Sequence, residues 1–556
     1  MSNQIHIIQN AITTTISEIF RGDFRRICEV KKAVLHLEAI YFCHGTCYLL
    51  KRENMPIKDQ LALYQRIELI PQSTTEFFEN NRECIINNWP EESALAAKPE
   101  ILYDALLASE FCVQPERVGY KIDKVSRDIA GAYYTSSDFS AQITYRALES
   151  YMDRKRRRAI DSDSFACYNE YENITFLDYS CGCGEFLLAV IQYFDNHVLG
   201  YSRKKLATQL RGVDVNPIAL MITIARIVSA VEAEDDENLL REVAKNFIVG
   251  NPLLHSDKIA PLEVRFDNFA LNRLYAETEG INCLELEQQN LVVLGNPPWE
   301  KLRFEERAFF RPVCPAISAI SQKNKREKEI KKLAVNWLEL LEYYQLLQDD
   351  YASVKKEIPK HPLLKVSLVG ELNTYAMFAE LASRLTEKDG FAAIIAKSAL
   401  VTSTCYSSCF RHFVNQGSLS EVFLFDNREK LFQIDSREKF CVLFFGGEHA
   451  GGIKVHYGLT KQEQILSSVP INVTSEELEL INPETGLLPN VADSKEFSFL
   501  LRTHRSLSVF AKEFPKCHFG RLVHLTAHAE HISTKSEKTR VPIYEGKFIE
   551  QYDSRF

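Results

Sequence analysis

Thr175-Phe176-Leu177-Asp178-Tyr179-Ser180-Cys181-Gly182-Cys183-Gly184-Glu185-Phe186-Leu187-Leu188-Ala189-Val190-Ile191 reads as a short apolar strand, a glycine-rich turn and the start of a helix. Gly182 and Gly184 let the backbone approach a ligand that a Cβ would block. The turn is not a dinucleotide fingerprint, because a third glycine is missing and Phe186 stands near its place. Asp178, just ahead of the turn, would repel a pyrophosphate and suits a cationic amino group. S-adenosyl-L-methionine carries such a group and no phosphate.

The alternation continues in both directions. Leu210-Arg211-Gly212-Val213-Asp214 is a second strand, followed by Val215-Asn216-Pro217 and the helix-like run Ile218 to Arg226. An acid at the tip of the second strand is where doubly wound folds grip ribose hydroxyls, so Asp214 is either a ribose ligand or a helix N-cap. Phe247-Ile248-Val249 ends at Gly250-Asn251-Pro252, where Asn251 either meets an adenine ring or is a turn residue. Further strands are expected over Leu291 to Leu294, Phe391 to Ala396, Glu421 to Phe425 and Phe440 to Phe445. The pattern from about 174 to 460 predicts an α/β, Rossmann-like doubly wound, mostly parallel sheet with its chemistry at the carboxyl ends of the strands.

One of those ends carries Asn296-Pro297-Pro298-Trp299. Two acceptors, the Asn296 side-chain oxygen and the Pro297 carbonyl, suit an exocyclic amino group conjugated to an aromatic ring. Such a nitrogen is a poor nucleophile, and hydrogen bonds from its protons would draw it toward tetrahedral geometry and free its lone pair. The prolines fix φ and hold the acceptors in place. Trp299 supplies a flat face for an extruded base. The bland alternative is a strand-end turn with an incidental aromatic.

Together these segments resemble the N6-adenine DNA methyltransferases, in particular the large single-chain enzymes of type IIG and phage-exclusion (BREX-like) restriction systems. The resemblance runs from about Gly131 onward. Gly131-Ala132-Tyr133-Tyr134-Thr135 looks like the family segment that cups the methionine end of the cofactor. Asp178 to Phe186 looks like the cofactor loop, Asp214 like the ribose acid and Asn296 to Trp299 like the catalytic loop. Gly370 to Phe378 is similar to a helix start that follows that loop in the family, and Phe423 to Phe432 with Lys439-Phe440 to its target-base pocket. This order is that of the gamma class, and several ordered motifs at strand ends are more specific than any one of them. The resemblance implies catalytic Asn296, Pro297, Pro298 and Trp299. It implies cofactor contacts from Tyr134, Thr135, Asp178, Gly182, Gly184, Phe186, Asp214 and Asn251, and a base pocket with Asn427 and Phe432. It also implies S-adenosyl-L-methionine as cofactor, no metal, and double-stranded DNA with a flipped adenine as partner. The sequence departs from the family at Ser136 and Tyr179, where proline is usual, and at Cys183, where serine or threonine is usual. None of these removes a needed functional group.

The rest of the chain bounds these readings. Its 556 residues with 46% hydrophobic content allow two to four domains. The expected division is a helical N-terminal region at 1–120, a catalytic domain at 121–460 with a helical insertion over the site at about 301–365, and a C-terminal region at 461–556. No stretch approaches the ~18 apolar residues of a membrane span, and no secretory signal is evident, which suits a cytoplasmic protein. Fourteen cysteines without a zinc-like or disulfide-like framework read as buried thiols in a reducing compartment. The net charge of −9 argues against DNA binding by the whole surface, but Arg154 to Arg158 and Lys323 to Lys332 are basic runs that either meet phosphates or line solvated helix faces. Glu29-Val30-Lys31, with Asp23 upstream, fits a nuclease tripeptide, but Ile27 to Ile40 looks helical where a nuclease places a strand.

Val541 to Phe556 looks like the lead-in to a target-recognition domain, so the expected activity of the chain alone is weak and without sharp sequence preference, with a separate specificity subunit as the partner that restores it. A non-catalytic or remnant DNA-binding subunit is one rival reading. A protein-glutamine methyltransferase is another, though that class usually has Tyr at position 299 and no long insertion.

Overall fold

The computed structural model describes residues 2–96, 98–122, 135–161, 171, 173–257, 259–273, 280–282, 290–387, 389–446, 452–508, 510–516, 523 and 529–532. Tyr134 and the stretch 541–556, singled out above, lie outside the described residues. The chain divides into a unit spanning Met1–Leu501 and a second spanning Arg502–Phe556.

In chain order the strands are β1 (Ser109–Gln114), β2 (Arg117–Ile122), β3 (Thr175–Asp178), β4 (Leu210–Asp214), β5 (Phe247–Val249), β6 (Asn251–His255), β7 (Gly280–Ile281), β8 (Leu291–Gly295), β9 (Phe391–Lys397), β10 (Leu419–Asp426), β11 (Lys439–Phe445), β12 (Ile453–Leu459) and β13 (Ile471–Val473). Nine of them form one sheet in the order β13-β12-β10-β11-β9-β8-β3-β4-β5. From β9 through β8, β3 and β4 to β5 every pairing is parallel. Only β11 and the edge strand β13 run the other way. All seven strands expected from the sequence are present in this sheet. Their near-continuous apolar runs, such as Leu291 to Leu294 with every side chain fully buried, are what a sheet covered on both faces requires.

One consequence of this topology positions the chemistry. The carboxyl ends of β3, β4, β8, β9 and β10 share an edge, and the loop between antiparallel β10 and β11 returns there, bringing Phe432 beside the segment that follows β8.

Several expectations are corrected. The N-terminal region is helical up to Leu107, but it ends in the β1–β2 hairpin, whose alternating Phe111, Val113, Val118 and Tyr120 are a strand pattern. The sheet also extends past residue 460 through β12 and β13. The insertion packs against the N-terminal helices: Trp337 Nε1 donates to Arg25 O (2.7 Å), Glu339 accepts the Cys28 amide (3.3 Å), and Arg311 pairs with Glu110 on β1 (3.2 Å). Glu29-Val30-Lys31 lies inside the helix Ile27–Leu49, with Val30 fully buried, so the tripeptide is not on a strand.

The basic run at Arg154 begins with a buried side chain. Arg154 donates to Asp389 O (2.7 Å), to Gly390 O (2.8 Å) and to Gly446 O, just before β9 begins and just after β11 ends. That is the sheet edge opposite the catalytic loop, so Arg154 satisfies backbone carbonyls and leaves phosphate contact without support there.

The helix Thr374–Leu385 is held by Glu380, which is fully buried. Its carboxylate accepts the amides of Lys365 (2.9 Å), Val366 (3.0 Å) and Ser367 (2.9 Å) and the Ser367 hydroxyl (2.6 Å). Replacing Glu380 by Ala strands three buried amides, so we expect a loss of about 3 kcal/mol or more. Chemical denaturation checks this; an unchanged midpoint would show that Glu380 is dispensable.

Candidate active site

Asp178 ends β3 and is 2% exposed. Its Oδ1 accepts the Ser180 amide (3.0 Å), and burial, with a smaller push from Asp214, raises its carboxyl to about 8. The neighbouring strand makes room for it: a Cβ on Gly295, the last residue of β8, would stand 2.9 Å from Asp178 Oδ1. The acid and the start of the Asn296 loop are thus in van der Waals contact.

The turn after Asp178 is fastened from several sides. Gly184 caps the helix Glu185–His197 at φ +85°, a left-handed conformation, and a Cβ there would meet the Thr223 methyl at 2.7 Å. Thr223 Oγ1 donates to Gly182 O (2.7 Å), and Arg226 donates to Cys183 O (2.5 Å) while pairing with Glu185 (2.7 Å). Phe186, a predicted cofactor contact, is 3% exposed and belongs to the core under the turn.

Asp214 links the turn to the next strand. Its Oδ2 accepts the Gly182 amide (2.9 Å) and its Oδ1 the Asn216 amide (2.9 Å), while burial raises its pKa against those bonds. The cap of the helix Pro217–Ala230 is Asn216, whose side chain accepts the Ile218 amide (2.9 Å), so Asp214 is not the helix cap. Asn216 also donates to the hydroxyl of Tyr103, which reaches in from the N-terminal helix Pro99–Leu107. Asn251 is a turn residue that opens β6, its Oδ1 accepting the Leu253 amide (3.0 Å).

In the catalytic-loop candidate, Asn296 Nδ2 donates to Thr135 Oγ1 (3.1 Å). The Thr374 hydroxyl donates to Pro298 O (2.5 Å) and accepts the Glu300 amide (3.1 Å). Lys301 then bridges Asn373, so the loop exit pairs with the segment ahead of the helix Thr374–Leu385. Burial pushes Glu300 up to about 8. Trp299 is 5% exposed and lies in an aromatic group, with its ring centroid 5.2 Å from Phe432 and 6.0 Å from Phe440. A base stacking on it therefore needs neighbours to give way.

Phe432 sits beside Trp299 as expected, but Asn427 does not reach the pocket. Its amide is fully buried and spent on Phe432, donating to the carbonyl (2.9 Å) and accepting the amide (3.0 Å). It shapes the β10–β11 loop that presents Phe432.

The structure thus brings together Asp178, Gly182, Gly184 and Asp214, joins Asn296 to Thr135, and sets Trp299 against Phe432. Thr374, Arg226, Thr223, Tyr103 and Gly295 were not found from the sequence. Their partners lie far along the chain, and only the double run of strand ends hinted where to look.

No family model matches the sequence, and a search of curated proteins finds no match. Solved structures do resemble it. One is a nuclease-deletion mutant of the type ISP restriction-modification enzyme LlaGI in complex with a DNA substrate mimic: TM-score 0.45, 13% identity, 89% of this chain and 38% of that chain. Another is the DrdV–DNA complex: TM-score 0.43, 12% identity, 85% of this chain and 46% of that one. A third is a type I restriction-modification methyltransferase subunit from Streptococcus thermophilus: TM-score 0.34, 11% identity, 91% and 93%. The chain spans less than half the length of the first two. The fold is the Rossmann-like α/β arrangement of S-adenosylmethionine-dependent methyltransferases, as the sequence led us to expect. No described helix is long and apolar enough to cross a membrane.

The raised Asp178 carboxyl has a consequence for stability. The unfolded chain sheds this proton near its ordinary value of 3.8 and the folded protein near 8. Between these the native state holds one extra proton, so this component of stability is full below about 4 and is lost as pH rises to about 8. The slope is at most about 1.4 kcal/mol per pH unit. Asp178→Asn removes it, so the stability gained over wild type should be larger at pH 8 than at pH 5 in thermal unfolding. An equal difference at both pH values would mean that Asp178 is ionised in the folded state.

Proposed function

We propose that the chain is a DNA methyltransferase of a restriction-modification or phage-defence system, acting on N6 of adenine with S-adenosyl-L-methionine as methyl donor. The observation that carries this reading is the meeting of two loops at adjacent strand ends: the Asp178 turn on β3 and the Asn296 loop on β8, with Gly295 against the Asp178 carboxylate.

The residues fit the cofactor. A Cβ on Gly182 would meet open space, so there is room beside the turn, flanked by one carboxylate on each of two neighbouring strands. Asp178 suits the methionine amino group, the turn backbone the body of the cofactor, and Asp214 the ribose hydroxyls, since each of its oxygens keeps a lone pair beyond the amide it accepts. When bound, S-adenosylmethionine supplies an electrophilic methyl group.

The work of the chain lies on the other side. Asn296 Oδ1 and the Pro297 carbonyl accept the two protons of an aromatic amine, pyramidalise the nitrogen and hold its lone pair in line. Trp299 and Phe432 form the aromatic wall that receives a base extruded from the duplex, one stacking contact of this kind contributing about 1–3 kcal/mol. The neighbours named above, proteins solved with DNA among them, are in keeping with DNA as substrate. A separate specificity subunit is the partner expected to supply most base-edge contacts.

The test is methyl transfer from radiolabelled S-adenosylmethionine to unmethylated DNA, with the product base identified by mass spectrometry. Wild type should form N6-methyladenine. Asn296→Ala should bind the cofactor with unchanged affinity and lose turnover by about 10³-fold, because Asn296 acts on the reacting amine. Label found in protein glutamine, or in no substrate at all, would reject the proposal.

A further inference from the structure

We infer that Thr135, expected from the sequence to touch the cofactor, is instead a positioning residue for the target amine: its hydroxyl fixes which end of the Asn296 amide faces the substrate. This rests on the function proposed above and deepens it.

An asparagine amide has two ends of nearly equal shape and opposite chemistry. Rotation by 180° about χ2 would present NH₂ to an amino group that is itself a donor, and the loop would repel its substrate. Local sequence does not choose between the two orientations; a partner on one side must. Here Asn296 Nδ2 donates to Thr135 Oγ1 at 3.1 Å, and Thr135 is 5% exposed. With the nitrogen committed to Thr135, Oδ1 is the end left to meet the amine.

A second hydroxyl pins the far side of the same loop. Thr374 Oγ1 donates to Pro298 O at 2.5 Å, so the Pro297 carbonyl, the other acceptor, lies between two fastened residues. Each threonine is itself rigidly held. Thr135 precedes the helix Ser137–Asp161, whose Phe139 packs on Phe425, Phe432 and Phe440. Thr374 opens the helix Thr374–Leu385, which Glu380 anchors. The two acceptors are thus aligned before substrate arrives, and the orientation entropy is lost on folding, not on binding.

The experiment compares Thr135→Val, which keeps the shape and removes the hydroxyl, with Thr135→Ser, which keeps the hydroxyl. Steady-state methylation of DNA is paired with calorimetric titration of S-adenosylmethionine, which also reports whether the variants are folded. We expect Thr135→Val to lose kcat by about 10²-fold, with KM for DNA and cofactor affinity within about twofold of wild type. Thr135→Ser should restore most of kcat, and Thr374→Val should shift kcat in the same direction. A Thr135→Val protein that turns over like wild type, or that loses cofactor affinity while kcat holds, overturns the inference and leaves the proposed function standing. A wild-type protein that methylates no DNA overturns the proposed function and the inference with it.

Discussion

A buried carboxylate at the junction of two parallel strands is the constraint on which the site depends. Asp178 is almost inaccessible, and burial of this kind strongly disfavours the charged form. Its environment is tolerable because it accepts the Ser180 amide and because β8 offers Gly295, where any side chain would collide with it. The same close approach sets the Asn296 loop directly beside the acid. A group that discharges the carboxylate and a group that activates an amine are therefore neighbours by strand pairing, without help from a mobile element.

Around that junction the structure spends its polar side chains on backbone. Thr223 and Arg226 hold carbonyls of the glycine turn, Asp214 holds one of its amides, and Thr374 and Thr135 hold the Asn296 loop. The N-terminal region takes part. Tyr103 accepts a hydrogen bond from Asn216, next to Asp214, and Glu100 lies 3.9 Å from Arg226. The first hundred residues thus buttress the cofactor edge of the sheet, while the insertion after the Asn296 loop ties that loop's exit back to the same helices.

The fold was legible because its strands are buried on both faces, which writes them as unbroken apolar runs such as Phe391 to Ala396. The ends of those runs located Asp178, Asp214 and Asn296. Strands with weaker signals, β1 and β2 in a helical neighbourhood and β12 and β13 beyond the expected domain limit, were missed. So were residues whose role is set by distant partners: Thr374 lies 76 residues from Pro298, and Tyr103 lies 113 from Asn216. Two misreadings share one cause. Arg154 and Asn427 carry groups that recognise ligands elsewhere, and here they satisfy buried backbone, a choice that composition alone does not reveal.

The account's central claim is that the neutral, buried Asp178 carboxyl receives the cationic end of S-adenosylmethionine. Calorimetric titration of the cofactor at pH 7, repeated in buffers of different ionisation enthalpy, counts the protons exchanged on binding. A carboxyl raised to about 8 is protonated at that pH and must ionise to pair with an ammonium group. We predict release of close to one proton by wild type and none by Asp178→Asn, whose residual binding should be weaker. Tight binding by wild type with no proton released would contradict the claim.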